Sequence, residues 1–372
     1  MSGPPTGPGP SGAPLAGLRV MEMAALGPVP LAGQLMSDLG ARVTVIDRTP
    51  RPADPADINR RGKEAVVLDL KTARGRAAAL DLACRCDILI EGFRPGVMER
   101  LDLGPEPCLG ANPRLIYGRM TGWGQHGPLS ATAGHDINYL ALSGVLHAIG
   151  PPEGPPVPPL NLVADYAGGT MMLLLGLLAA VHERGRTGRG QVVDAAMLDG
   201  VAALLGLIHG FRARGDWVDA PHSNRLDGGA PFYRCYATAD GGHVAVGALE
   251  DGFFAELAAR LGLPDASVAQ RHDRRAWPEL TRQMAAAFAT RSRDEWAAVF
   301  DGSDACVTPV LDFAEAAAHP HSRARGIYRR AQGVLQAAPA PRFSHPAAGA
   351  PGAAVPHGPD TPTREGTNDQ RS

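Results

Sequence analysis

The sequence is nearly without lysine: Lys63 and Lys71 are the only two among 36 basic residues, so arginine carries almost all the positive charge. With 38 acidic residues the net charge is −2, which leaves no broad positive field of the kind that nucleic-acid binding requires. An anionic ligand must therefore be met by a few local cations. Cysteine is also scarce. The five present (Cys84, Cys86, Cys108, Cys235 and Cys306) are odd in number and lack zinc-ligand spacing, which argues against a disulfide scaffold or a metal site. A reducing compartment, the cytoplasm, is the expectation. The longest apolar run, 171–181, is about half the roughly 20 residues that a bilayer crossing needs, and reads as a buried helix with no membrane role. A Walker A loop and a G-x-S-x-G elbow are both missing, which removes the commonest P-loop and serine-hydrolase readings.

What is present is enough apolar material for two cores, 44% of 372 residues. The first stretch, 1–13, is Gly, Pro and Ser with neither a basic n-region nor an apolar h-region, and is expected to be a flexible tail. From about residue 332 the chain is again Ala, Pro and Gly with polar residues, which can bury little; a second flexible tail is expected over 346–372.

Between the tails, short apolar runs alternate with helical spacing. Strands are expected at 18–23, 41–47, 65–70, 87–91 and 115–120, with helices at 28–39, 72–86 (N-capped by Thr72) and 95–101. This alternation predicts an α/β fold with a parallel sheet. A Gly-rich turn at 121–128 leads to a helix starting near His135. A Pro-rich loop at 150–159 comes before a long apolar helix from 166 to about 183. After a helix over 198–215, the runs 232–238 and 243–248 read as a hairpin, followed by helices at 253–261 and 278–300. The expected organisation is a large domain at 14–216, a smaller α+β domain at 217–315 and a return to the large domain at 316–345. A nicotinamide site with Asp47 as the ribose ligand is disfavoured, because the first βα turn has prolines where G-x-G-x-x-G needs glycines and free N–H groups.

Eleven segments in order carry a resemblance. They are AGLRVMEMA (16–24), VIDR (45–48), LDLK (68–71), EGFRPGVMERLDLG (91–104), RMTGWGQHGP (119–128), GHDINY (134–139), NLVADYAGG (161–169), GQVVDAAMLDG (190–200), DGGAPFY (227–233), VGALE (246–250) and HPHSRARG (319–326). Together they resemble the α-methylacyl-CoA racemase branch of the family III CoA-transferase (CaiB/BaiF) superfamily. The resemblance implies a large Rossmann-like domain built from both ends of the chain and a smaller α+β domain inserted late. It also implies an interlocked homodimer whose active sites are shared between subunits.

The implied activity is inversion of the α-carbon of a 2-methylacyl-CoA thioester by proton transfer, with no cofactor beyond the CoA of the substrate. Such an inversion needs a base on one face of the carbon and an acid on the other, with donors for the enolate oxygen. On the residues alone, His135 is open between a capping or core histidine and a base, and Asp165 between an N-cap and a reactive carboxylate. The resemblance makes His135 the base for the S substrate and Asp165 the base for the R substrate, and suggests the two helix starts there as donors. It makes Glu250 the partner that orients the histidine, against a solvated turn carboxylate. For CoA it implies Arg48, Leu68, Asp69, Leu70, Lys71, Gly92, Phe93, Arg94, Arg100, Gly134, His135, Asp136, Ile137, Asn138 and Tyr139. The rival is a CoA-transferase with Asp165 as nucleophile; a silent CoA-binding protein is the third reading.

Overall fold

The computed structural model describes residues 12–344. The flexible tails expected at 1–13 and 346–372 lie outside the described residues except for 12 and 13, and Ala13 is already buried. Six strands, β1 (Arg19–Met23), β2 (Arg42–Asp47), β3 (Glu64–Val67), β4 (Ile88–Glu91), β5 (Ile116–Thr121) and β6 (Val192–Ala196), pair in parallel in the order β3-β2-β1-β4-β5-β6. That is the doubly wound arrangement of Rossmann-like proteins, with all carboxyl ends on one edge.

Alternation along the strands feeds two cores. Val20, Ile88 and Ile90 face a layer made by α1 (Pro28–Asp38) and by later helical segments that contribute Leu140, Ala164, Leu173, Leu177 and Val201. Met21, Leu89 and Tyr117 face α2 (Ala73–Arg85), α3 (Val97–Arg100) and α4 (Pro105–Ala111). Thr72 caps α2 as expected, its hydroxyl accepting from the Gly75 amide at 3.0 Å.

Helix α5 (Asp136–Ser143) is followed by a π-helical segment, Leu162–Met171, which runs without a break into α6 (Met172–Thr187). The expected apolar helix thus starts earlier than its periodicity suggested, and the rod from Leu162 to Thr187 is long and apolar enough to cross a membrane by length and composition. One side, with Leu173 and Leu177, packs on the sheet; Leu162, Met171, Leu175 and Leu178 face outward. The single helix expected at 198–215 is two, α7 (Met197–Leu204) and α8 (Gly206–Arg214), because the chain leaves helical geometry at Leu205.

The hairpin β7 (Tyr233–Ala237) and β8 (His243–Gly247) forms as expected, and β9 (Val307–Pro309) adds a third antiparallel strand. Helices α9 (Asp251–Leu261), α10 (Asp265–Ala269), α11 (Trp277–Phe288) and α12 (Arg293–Phe300) cover it. Their core is aromatic: Phe232, Phe254, Trp277, Phe288, Trp296 and Phe300. The expected helix at 278–300 splits because Ser292 and Glu295 form a capping box, a signal that the S-x-x-E spacing carried.

After α13 (Phe313–Ala318) and α14 (Pro320–Arg325), strands β10 (Tyr328–Ala331) and β11 (Val334–Ala337) pair antiparallel. Within the stretch that was expected to bury little, Val334–Ala337 is therefore a paired strand. Polar contacts hold it: buried Arg61 donates to Gln336 at 2.8 Å and to the Ala337 carbonyl at 2.7 Å, and ion-pairs with Asp38. Asp47, the residue weighed as a ribose ligand, is taken up by a two-pronged bond to Arg60, 2.6 Å at each oxygen.

Candidate active site

Four loops leave the carboxyl edge of the sheet and bring the expected residues there. Arg48 follows β2; Leu68, Asp69, Leu70 and Lys71 follow β3; Gly92, Phe93 and Arg94 follow β4; and residues 134–139 come after β5. A cavity of about 530 Å³ opens between the loops that follow β1, β4 and β5, lined among others by Gly92, Phe93, Arg94, Gly134, His135, Tyr139 and Asp165. Arg48, residues 68–71, Arg100 and Asp136, Ile137 and Asn138 do not line it. Asp69 instead closes its own turn, accepting from the Lys71 amide at 3.0 Å.

His135 is the N-cap of α5 in extended geometry, and its amide donates to Asn138 Oδ1 at 3.0 Å. Tyr139, one turn on, also lines the cavity. Tyr139 donates its hydroxyl to the Gly134 carbonyl at 2.6 Å and packs edge-on against Trp123, with centroids 4.7 Å apart. A side chain at position 134 would put its Cβ 2.8 Å from the tyrosine ring. Gly134 is thus the residue that leaves room for the tyrosine ring beside Trp123.

Asp165 lies on the π-helical segment, not at its cap, which is Asn161; the N-cap reading of Asp165 is corrected. Segments of this type are rare and concentrate at functional sites, because the wider turn redirects a side chain. Asp165 Oδ2 accepts from the Asn161 amide group at 3.1 Å, and a Cβ on Gly27 would come within 3.5 Å of the same oxygen. Burial holds the Asp165 carboxyl above its ordinary range; the bond from Asn161 opposes this, neighbouring Asp136 adds to it and His135 pulls it down.

Asp136 is 5% exposed, and its Oδ2 accepts from the amides of both Ala164 and Asp165 at 2.8 Å. Two N–H groups of the second helix start are therefore already used. At the start of α5 the His135 amide is likewise taken by Asn138 Oδ1 and the Asn138 amide by the His135 carbonyl, so the donors expected at both helix starts are partly engaged.

Glu250 is the exposed N-cap of α9 and does not line the cavity that holds His135 and Asp165 of its own chain. Its backbone is firmly placed. Arg271, buried over the rings of Phe232 and Phe254, donates to the carbonyls of Ala248, Leu249 and Glu250. The cavity also has walls that the sequence reading did not single out: Leu26 at its rim, Trp123, Ser130, Thr132 and Met197. The Gly-rich turn that carries Trp123 was the one available signal.

A doubly wound α/β chain with a histidine and a carboxylic acid in one cavity at the strand ends defines a class, that of ligand-binding Rossmann-like proteins equipped to move protons. The chain belongs to CoA-transferase family III, whose model matches residues 15–363. It is 46% identical over 314 residues to the α-methylacyl-CoA racemase of Mus musculus, covering 84% of this chain and 82% of that protein. It is 47% identical over 316 residues to the Homo sapiens protein of the same name, with the same coverage. The crystal structure of Rv3272 from M. tuberculosis superposes with a TM-score of 0.75 at 27% identity, covering 89% of this chain and 93% of that one.

Proposed function

We propose that this chain is an α-methylacyl-CoA racemase that inverts the α-carbon of 2-methylacyl-CoA thioesters by two-base proton transfer. The observation that carries the reading is that His135 and Asp165 reach one cavity from different helices. His135 takes the α-proton of the S substrate, leaving an enolate, and the carboxylic acid of Asp165 delivers a proton to the opposite face. The R substrate runs the same steps backwards from ionised Asp165 and protonated His135. Each turnover exchanges the protonation states of the pair, so solvent exchange or the reverse reaction restores them. A thioester α-proton is very weakly acidic, and each preorganised donor to the enolate oxygen contributes about 3 kcal/mol. Burial raises the Asp165 carboxyl above its ordinary range, which favours a group that holds a proton as well as releasing one.

The CoA moiety runs along the carboxyl edge, where Arg48, Lys71, Arg94 and Arg100 offer cations to its phosphates. No cofactor or metal is needed, and the compartment is the cytoplasm, a reading supported by five free cysteines. The working unit is a homodimer in which Glu250 of one chain orients His135 of the other. Glu250 lies outside its own chain's cavity, and the outward apolar face of Met171, Leu175 and Leu178 offers a contact surface for a second copy instead of a membrane.

The test is incubation with one enantiomer of a 2-methylacyl-CoA in deuterated water without an acyl acceptor. Both configurations should appear, with deuterium at the α-carbon. Product of both configurations with hydrogen fully retained removes the two-base mechanism. Turnover only on adding a free acid acceptor identifies a CoA-transferase with Asp165 as nucleophile.

A further inference from the structure

Asp136 begins one helix and uses its side chain to hold first-turn amides of another, the segment Leu162–Met171. It is the residue after His135 and is buried, yet its carboxylate does not turn toward the cavity. One oxygen takes the amides of Ala164 and Asp165, each at 2.8 Å, while the other, Oδ1, is buried with no hydrogen-bond partner among the described residues. Leaving half of a buried carboxylate unsatisfied is unfavourable by about 1–3 kcal/mol or more, so the arrangement needs a compensating role. Through its backbone Asp136 continues directly from one proton carrier; through its side chain it holds the amide of the other.

We infer that Asp136 is a positioning residue of the proton-transfer pair, fixing the distance between His135 and Asp165. It also sets a second acidic side chain next to the Asp165 carboxyl. This role rests on the two-base reading above. The second part follows from what surrounds Asp165: Asp136, His135 and Tyr139 from α5, Asn161 from its own segment, and Arg94 beyond Tyr139. Among these, Asp136 is the negative neighbour, raising the Asp165 carboxyl in addition to burial, and His135 and the Asn161 amide work against it. Removing the charge makes Asp165 the stronger acid. In the R→S direction Asp165 must begin ionised, so the acidic limb of kcat/KM moves to lower pH. In the S→R direction it must begin protonated, so the alkaline limb retreats to lower pH as well.

The experiment compares Asp136→Asn, which keeps an acceptor oxygen for the two amides, with Asp136→Ala, which keeps none. Racemisation and α-deuterium exchange are followed against pH in both directions, and CoA affinity is measured separately by calorimetry. Asp136→Ala should lower kcat by ~10²-fold, the scale of a displacement near 1 Å, with CoA affinity within about threefold of the parent. Asp136→Asn should recover much of that kcat while shifting both pH limbs down. Retained CoA binding shows that either variant is folded. Full kcat in Asp136→Ala overturns the inference, and so does a loss confined to CoA affinity, which would make Asp136 a CoA ligand. An Asn variant as impaired as the Ala variant with unmoved pH limbs also overturns it. Wild-type protein in the same assay separates this from the reading beneath it. Exchange by the wild type alongside unaffected variants removes only the positioning role, whereas no exchange by the wild type removes both.

Discussion

Gly200 and Gly168 meet backbone to backbone: a Cβ on Gly200 would sit 1.8 Å from the carbonyl oxygen of Gly168, inside any possible contact. This contact seats the segment that carries Asp165 on α7. Gly200→Ala must push the two helices apart, and overpacking of this kind is unfavourable by about 1–3 kcal/mol. A lower Tm is expected, together with a fall in kcat at temperatures where the variant is still folded. A variant with parental Tm and kcat would show that the helix spacing is slack and does not set the position of Asp165.

Lys63 and Glu22 form an ion pair at 2.6 Å with side chains 1% and 2% exposed, and the ammonium also donates to the Pro30 carbonyl at 2.8 Å. Burial pushes the Glu22 carboxyl up to about 7 and pulls the lysine down. Lys63→Met leaves a buried unpaired acid and should destabilise the fold by ~3–5 kcal/mol in urea unfolding. Glu22→Gln with Lys63→Met removes both charges and should regain most of that loss. If the double variant is no more stable than the single one, the pair is not an isolated electrostatic unit.

Glu91 ends β4 and holds the loop that lines the cavity, accepting from the Phe93 amide at 2.8 Å and from Arg119 at 3.0 Å. Burial raises its carboxyl from 4.5 to about 7, against the opposing bonds. A folded-state value above the unfolded one means that the native chain holds the proton longer, so this group's contribution to stability is full below 4.5 and declines as pH rises to about 7. Glu91→Gln keeps an acceptor for Phe93 but cannot titrate. The Tm of the variant minus that of the parent should therefore increase between pH 5 and pH 8, as other groups cancel in the difference. A flat difference would mean that Glu91 ionises at an ordinary pH.

The parallel sheet was legible because each strand is a short aliphatic run flanked by helical spacing, and Rossmann-like order followed once the resemblance was in place. β6 escaped the periodicity reading as a half-exposed edge strand that merges directly into α7. β11 escaped for a different reason: it is held by Arg61 reaching Gln336 from 275 residues away, a polar contact with no local signature. His135 and Asp165 were visible only through resemblance, since either residue type at a helix start is more often a cap. For Asp136 the motif gave the neighbourhood but not the direction of the side chain, which turns to the amides of Ala164 and Asp165.

His135→Ala should lower racemisation by ~10²–10⁴-fold, the usual range for a general base, with CoA affinity within a few-fold. Arg100→Ala should do the reverse, weakening CoA roughly tenfold with kcat nearly kept, as loss of a charged hydrogen bond does. Steady-state kinetics with calorimetric CoA titration separates the two. Near-normal turnover by His135→Ala would favour Asp165 as the sole reactive group and so the transferase reading.

The shared-site reading makes its strongest demand on chains that are each defective. Glu250 is exposed and held by Arg271 through its backbone, so Glu250→Ala should fold normally while losing the partner of a histidine in another chain. His135→Ala and Glu250→Ala homodimers should each be nearly inactive. Refolded together, mixed dimers contain one site with a normal His135 and a normal Glu250, and a second site with both defects. Activity should reappear, up to about half the native value per mixed dimer when the sites are independent. Co-refolding is required because interlocked chains cannot exchange by simple mixing. Mass spectrometry of differently tagged chains verifies that mixed dimers formed. Verified mixed dimers without recovery would place Glu250 in service of its own chain or outside catalysis altogether.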